Sequence, residues 1–232
     1  MKVSAIVAAA GQGRRMQANK NKQYLQLDNE MILSRTLKVL DRIEEIKEIV
    51  VVVGSSEIEF CQEEIIDNNN LRTQHKVVAG GKERQDSVRA GLAALSCDSE
   101  YILIHDGARP LITKDLIGEA LIGAREHNTA VLAVPVKDTI KVVDRSGYVV
   151  ETPDRSKLRA VQTPQIFKRD LICDAYQWAI EADFSGTDDA SLVEAMGEKV
   201  YLVQGSYENI KITTPEDLLL AKEIIRRRSE CE

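Results

Sequence analysis

The chain has 232 residues and a formal net charge of −6, with 44% hydrophobic, 29% charged and 4% aromatic residues. This length suits one α/β domain, because a single hydrophobic core can still grow at this size. The acidic balance argues against a protein that binds nucleic acid. No apolar stretch approaches the roughly 20 residues that a membrane-spanning helix requires, so we expect no membrane association.

The cysteines and the N-terminus indicate a cytoplasmic protein. Cys61, Cys97, Cys173 and Cys231 lie far apart and form no C-x-x-C pair, which gives a disulfide framework or a zinc site little support. The apolar run Val3–Ala9 is at the short limit for a secretion signal, and glycines and arginines follow it at once.

Strands and helices alternate along the chain. Apolar runs typical of buried parallel strands occupy Val3–Ala9, Ile49–Val53, Tyr101–Ile104 and Ala130–Val136. Helical periodicity is present in Gln85–Leu95 and Asp115–His127, and Thr214-Pro215 has the pattern of a helix start. This alternation predicts βαβ crossovers and a mostly parallel central sheet in a single domain, 1–232.

The segment Asp138–Ala160 breaks the alternation. Two β-prone runs flank Asp144–Gly147, which predicts a β-hairpin with a four-residue turn. Because an isolated hairpin is only marginally stable in water, this one must pack either on its own domain or on a second copy of the chain. The residues do not decide between these two arrangements.

A glycine-rich loop follows the first predicted strand, at the sheet edge where ligands of parallel sheets bind. Its small residues allow backbone N–H groups to approach a phosphate. Arg14, Arg15, Lys20 and Lys22 add four cations within nine residues. Met16 replaces the third glycine of a dinucleotide fingerprint, so a nucleoside triphosphate is favoured over a dinucleotide. The alternative is a solvated basic loop that caps a strand.

Two further segments follow the same logic. Gly80-Gly81 precedes a helix start at which Ser87 can donate a hydrogen bond to a ligand, although an ordinary turn and cap explains the same residues. Asp106 ends the third apolar strand and is placed to bind Mg²⁺. The alternative for Asp106 is an ion pair with Arg109, and His105 beside it is interpreted as structural.

These segments together resemble the 2-C-methyl-D-erythritol 4-phosphate cytidylyltransferase family of the non-mevalonate isoprenoid pathway. The resemblance runs almost from end to end. It is carried by Ala9–Met16, Lys22–Leu25, Gly80–Val88, His105–Pro110, Pro135–Lys141, Thr163–Gln165, Thr187–Ser191 and Asn209–Thr213.

The resemblance implies a Rossmann-like nucleotidyltransferase domain with a protruding β-arm at 138–160 that embraces a second subunit in a homodimer. It implies Mg²⁺-dependent transfer of CMP from CTP to 2-C-methyl-D-erythritol 4-phosphate. The implied roles are CTP binding by Ala9, Ala10, Gly11, Gln12, Gly13, Gly80, Arg84 and Ser87, transition-state stabilisation by Arg15 and Lys22, metal binding by Asp106, and binding of the polyol phosphate by Arg109, Thr139, Arg155 and Lys211. Asn21 departs from the family pattern, in which a proline often precedes the lysine, so the loop lacks the fixed φ that proline would give at this position.

The residues fit this chemistry without the resemblance. A phosphomonoester is already largely anionic at pH 7, so it requires positioning and charge neutralisation rather than a general base. Three alternatives remain: a ribitol 5-phosphate cytidylyltransferase, a nucleotide-binding regulatory module without activity, and a nicotinamide-dependent dehydrogenase.

Overall fold

A computed structural model describes residues 1–11, 21–96 and 98–230. Its strands are β1 (Val3–Ala8), β2 (Gln26–Leu27), β3 (Glu30–Met31), β4 (Ile46–Val53), β5 (Gln74–Ala79), β6 (Tyr101–Asp106), β7 (Thr129–Pro135), β8 (Val142–Val143), β9 (Val149–Glu151), β10 (Arg159–Lys168) and β11 (Leu202–Gln204). Its α-helices are α1 (Ile32–Asp41), α2 (Ile58–Cys61), α3 (Arg84–Ala94), α4 (Lys114–His127), α5 (Arg169–Glu181), α6 (Asp189–Ala195) and α7 (Pro215–Glu230).

The centre of the fold is a seven-stranded sheet in the order β11-β7-β10-β6-β1-β4-β5. The neighbours from β6 to β5 pair in parallel, as do β7 and β11. Only β10 among these strands runs antiparallel, to both β6 and β7. The prediction of an α/β fold with a mostly parallel sheet is therefore confirmed.

The sheet is buried on both faces, which explains the unbroken apolar runs of its central strands. In β1, Val3, Ala5 and Val7 face one core, which α1, α2 and α4 cover. Ile6 faces the other core, which α3, α5 and α6 cover. A third cluster packs α7 against the β2–β3 turn through residues such as Leu27 and Ala221. The result is a three-layer α/β/α sandwich.

The predicted elements agree with the observed ones within a few residues. All four predicted strands form, as β1, β4, β6 and β7, and the two periodic segments form α3 and α4. At the start of α7, Thr214 Oγ1 accepts from the N–H of Asp217, and the Asp217 carboxylate accepts from the N–H of Thr214, which is a reciprocal cap. Strands β5, β10 and β11 of the central sheet and the two-residue strands β2 and β3 were not predicted. Among the described helices, none combines the length and apolarity required to cross a bilayer.

The predicted hairpin is present, although its strands β8 and β9 are shorter than expected. The Asp144 side chain accepts from the N–H groups of Ser146 and Tyr148, and Gly147 adopts φ +88° to close the turn. Apolar side chains on this arm are exposed in the single chain: Tyr148 is 75% and Val150 is 61% accessible. Within a single chain, these apolar side chains of the arm are therefore not buried in a hydrophobic core.

Two helical glycines should respond to alanine in opposite directions. A Cβ on Gly91 in α3 would lie 2.6 Å from Ile6 Cγ2, whereas a Cβ on Gly118 in α4 meets nothing within 4 Å. We expect Gly91→Ala to lower the free energy of unfolding by about 1–3 kcal/mol through overpacking. Gly118→Ala, as the matched control, should raise it by about 0.5–1 kcal/mol through helix propensity. Urea unfolding measures both, and a stabilised Gly91→Ala variant would contradict the close packing of α3 on β1.

Candidate active site

A cleft opens at the carboxyl ends of β1 and β6 and the amino end of α3. Several of the predicted site residues line it: Ala9, Ala10, Gly11, Lys22, Arg84, Ser87, Asp106 and Lys211. They come from five separate segments of the chain, which the parallel strands bring to one sheet edge. The predicted residues Gln12, Gly13 and Arg15 lie outside the described residues.

The turn between β5 and α3 packs closely on the loop after β1. The N–H of Ala9 donates to Val52 O and that of Gly80 to Val53 O, each at 2.7 Å, so both loops are anchored on β4. A Cβ on Gly80 would lie 2.6 Å from Ala10 Cβ and 2.7 Å from Ser87 Oγ. Position 80 therefore requires glycine, because any side chain would separate the two loops that form this wall of the cleft.

Ser87 is already engaged in local hydrogen bonds. Its Oγ accepts from the N–H of Gly81 at 3.2 Å and donates to Glu83 O at 3.0 Å. These bonds are those of an ordinary turn and helix cap. A contact of Ser87 with a nucleotide stays a prediction, and it would require one of these bonds to be shared or exchanged.

Asp106 is the charge centre of the cleft. It is 5% exposed at the end of β6, and its carboxylate lies 2.8 Å from Lys211 Nζ, 3.5 Å from Arg109 Nε and 3.6 Å from Arg84 Nε. Burial by itself would raise the pKa of Asp106, but Lys211, Arg84 and Arg109 lower it, and the net pKa lies well below its usual range. Asp106 is therefore ionised throughout the physiological range.

Three cations around one carboxylate do not fit a metal site on Asp106 as the side chains stand. Mg²⁺ prefers a shell of oxygen ligands, whereas both Asp106 oxygens face cations. Within 1–11, 21–96 and 98–230, no group of three or more His, Cys, Asp or Glu side chains could hold a metal ion. The ion pair with Arg109, which was the alternative interpretation of Asp106, is present.

Arg84 links Asp106 to a second buried carboxylate. Its Nη2 lies 2.6 Å from Asp189 Oδ2 at the start of α6, and the Tyr176 hydroxyl in α5 donates to Asp189 Oδ1 at 2.6 Å. Burial raises the pKa of Tyr176, and the Asp189 charge adds to this. Sequence reasoning gave Asp189 and Tyr176 no role, because Asp189 lies 105 residues from Arg84. The only sequence feature that pointed to Asp189 was its place in the motif Thr187–Ser191.

Arg109 and His105 belong to a network behind Asp106. Arg109 Nη1 donates to Asn209 O at 2.7 Å, and the Asn209 amide donates to Thr163 O at 2.9 Å. His105 is fully buried, with Nδ1 3.1 Å from Thr163 Oγ1 and Nε2 3.2 Å from Arg109 O. Burial lowers the pKa of His105 to about 4, as expected of a neutral structural histidine. This network fixes the loop that precedes Lys211.

A second cavity adjoins the cleft and shares Arg84, Asp106 and Lys211 with it. Arg109 and Arg159 add two more cations to its lining. Thus two of the four residues predicted to bind the polyol phosphate, Arg109 and Lys211, lie together here.

The other two predicted polyol-phosphate residues lie on the arm. Thr139 and Arg155 are exposed, and Arg155 Nη1 donates to Lys137 O at 2.7 Å. Neither is among the described residues that line the cleft or the second cavity of the same chain.

Removal of the Asp189 charge should destabilise the site and the fold. In Asp189→Asn, the half-buried Arg84 loses the nearer of its two carboxylate partners, and we expect the free energy of unfolding to fall by about 2 kcal/mol. Glu194→Gln removes an exposed charge from the same helix and should change stability by less than about 0.5 kcal/mol. Chemical denaturation compares the two variants, and equal stabilities would show that the Arg84–Asp189 pair contributes nothing.

Comparison with known proteins identifies a family that matches nearly the whole chain. The model of the 2-C-methyl-D-erythritol 4-phosphate cytidylyltransferase family matches residues 3–227. Proteins of that name from Alkaliphilus oremlandii and Alkaliphilus metalliredigens are 49% and 50% identical, over 99% and 100% of this chain and 97% and 96% of the relatives.

Solved structures extend the match to three dimensions. The 4-diphosphocytidyl-2C-methyl-D-erythritol synthase of Anaerococcus prevotii is 34% identical with a TM-score of 0.85, and covers 97% of this chain and 98% of its own. The 2-C-methyl-D-erythritol 4-phosphate cytidylyltransferase of Thermus thermophilus is 31% identical with a TM-score of 0.80, over 97% and 100%. This chain belongs to the 2-C-methyl-D-erythritol 4-phosphate cytidylyltransferase family.

Proposed function

We propose that this chain transfers CMP from CTP to 2-C-methyl-D-erythritol 4-phosphate and releases pyrophosphate. The observation that carries the proposal is the cleft, where small-residue loops and the cations Lys22, Arg84 and Lys211 converge at the carboxyl edge of the sheet. Membership of the family names the nucleotidyl transfer and the acceptor.

The reaction requires charge neutralisation more than proton transfer. An acceptor phosphate oxygen attacks the α-phosphorus of CTP, a new P–O bond forms, and the bond to the bridging oxygen of the β-phosphate breaks as pyrophosphate leaves. The acceptor phosphate is a dianion for the most part at pH 7, since its second pKa is near 6, so no general base is required. Cations aimed at the α-phosphate reduce the repulsion between the two phosphates and stabilise the charge of the transition state.

The cleft and the second cavity suit different substrates. Ala9, Ala10 and Gly11 present a small-residue wall suited to the triphosphate, and Lys22 lines the same cleft. The second cavity, lined by Arg109, Arg159 and Lys211, suits the acceptor phosphate. Lys211 lines both the cleft and the second cavity, where it can bind the incoming acceptor phosphate.

We propose further that the arm completes the acceptor site of a second copy in a homodimer. Its exposed apolar side chains, Tyr148 and Val150 among them, favour contact with another surface, and its Thr139 and Arg155 would then serve the partner's site. Light scattering tests this arrangement: a mass of twice 25.9 kDa supports it, and a monomer under assay conditions contradicts it. Mg²⁺ dependence and a cytoplasmic location remain predictions.

Acceptor-dependent pyrophosphate release tests the proposed function. With CTP and Mg²⁺, we expect turnover with 2-C-methyl-D-erythritol 4-phosphate and little with ribitol 5-phosphate or without acceptor. Chelation of the metal should stop turnover. Turnover with ribitol 5-phosphate instead would contradict the proposed acceptor, and CTP binding without turnover on either acceptor would favour the regulatory module.

Lys22→Ala and Arg15→Ala should each lower kcat by about a hundredfold or more, because one well-placed donor to transition-state charge contributes about 3–4 kcal/mol. Lys47→Ala removes an exposed lysine of β4 and is the matched control, which should keep the wild-type kcat. A near-normal kcat in either of the first two variants would remove that residue from the mechanism.

A further inference from the structure

Lys22 lies between two residues whose side chains bind the same carboxylate. It begins the short 3₁₀ turn Lys22–Tyr24. On one side of it Asn21 Nδ2 donates to Glu57 Oε1, and on the other Gln23 Nε2 lies 3.4 Å from Glu57 Oε2. Both neighbours of the lysine are therefore fastened to one anchor.

Glu57 is itself fixed to the end of β4. It closes the 3₁₀ turn Ser55–Glu57, and its Oε2 accepts from the N–H of Gly54 at 2.9 Å. A Cβ on Gly54 would lie 2.8 Å from that oxygen, so the carboxylate fills the space above the backbone. The side chain of Glu57 therefore has little conformational freedom.

Gln23 connects the same carboxylate to β1. It is 1% exposed, and its Nε2 also donates to Ala9 O at 2.7 Å. The next residue, Tyr24, packs edge-on against Phe60 with ring centroids 4.9 Å apart. The backbone of Lys22 is consequently held between the ends of β1 and β4 and against the helix that follows Glu57.

The backbone of Asn21 shows why a side-chain restraint is useful here. Asn21 has φ −61° and ψ 140°, and this φ is the value that the ring of a proline would impose. Asparagine imposes no such restriction, so rotation about φ at this position is limited only by the contacts that Asn21 makes. Its hydrogen bond to Glu57 is the side-chain contact that supplies this limit.

We propose that Glu57 is a positioning residue for Lys22. Glu57 acts through Asn21 and Gln23 and touches neither substrate. This inference rests on the proposed function, in which Lys22 neutralises charge at the α-phosphate. Because a displacement of about 1 Å can lower a rate about a hundredfold, loss of the anchor should reduce kcat more than it raises KM for CTP.

The experiment compares Glu57→Ala with Glu59→Ala, which removes an exposed carboxylate two residues further on. Steady-state kinetics should show kcat reduced at least tenfold in Glu57→Ala, with KM for CTP within about threefold, and Glu59→Ala close to wild type. Asn21→Ala, a loop substitution with little risk to folding, should reduce kcat in the same direction. The kcat of the double variant Asn21→Ala/Glu57→Ala should fall no further than that of Glu57→Ala, because Glu57→Ala already removes the contact that Asn21→Ala breaks.

A rescue separates positioning from general stabilisation. Asn21→Pro in the Glu57→Ala background should recover part of kcat, since the ring restores φ without the carboxylate. The proposal would be overturned if the correctly folded Asn21→Pro/Glu57→Ala double variant showed no recovery of kcat. It would also be overturned if Glu57→Ala and Asn21→Ala both kept kcat within twofold of wild type.

Amide hydrogen exchange gives a readout that does not depend on activity. The N–H of Tyr24 donates to Asn21 O and that of Leu25 to Lys22 O, so exchange of these two amides should accelerate in Glu57→Ala and not in Glu59→Ala. Unchanged exchange would overturn the positioning role even if the wild-type protein transferred no CMP. Faster exchange in Glu57→Ala, together with an absence of turnover in the wild-type protein, would instead refute the proposed function alone.

Discussion

The buried carboxylate of Asp106 is the constraint on which the carboxyl edge of the sheet depends. An isolated charge at 5% exposure would be strongly unfavourable. Three cations offset this cost, and each comes from a different segment: Arg84 from α3, Arg109 from the loop after β6, and Lys211 from the segment before α7. One carboxylate therefore ties together parts of the chain that are far apart in sequence.

Two of these cations, Arg109 and Lys211, are predicted to bind the polyol phosphate, and the third, Arg84, is predicted to bind CTP, which connects stability to function. Two buried carboxylates, Asp106 and Asp189, face the three cations Arg84, Arg109 and Lys211, so the cluster keeps an excess of positive charge. The Arg84 guanidinium is held from both sides before any ligand arrives, and such preorganisation avoids reorganisation cost during the reaction. The cluster would bind anions less well if its carboxylates were more numerous, and would be less ordered without them.

Sequence reasoning recovered what is local and missed what is long-range. Hydrophobic periodicity located β1, β4, β6, β7, α3 and α4, because burial on two faces leaves an unbroken apolar run. Periodicity missed β10, which lies between β6 and β7 and runs antiparallel to both. It also missed β5 and β11, which lie at the two edges of the sheet and have weaker apolar patterns. In the site, strand-end residues such as Asp106 were found by their position, whereas its contacts with Arg84 and Lys211, and the Asp189 anchor, depend on tertiary packing that no spacing encodes.

A crystal structure of this protein with CTP and no acceptor would locate the nucleotide site directly. We expect the triphosphate to contact the backbone of Ala9–Gly11 and the Lys22 side chain, with the cytidine against the turn from Gly80 to Ser87. Arg84 should remain bound to Asp189 in that complex. A nucleotide bound instead in the second cavity beside Gln165 and Arg159, with the cleft empty, would show that the cleft at the ends of β1 and β6 is not the nucleotide site.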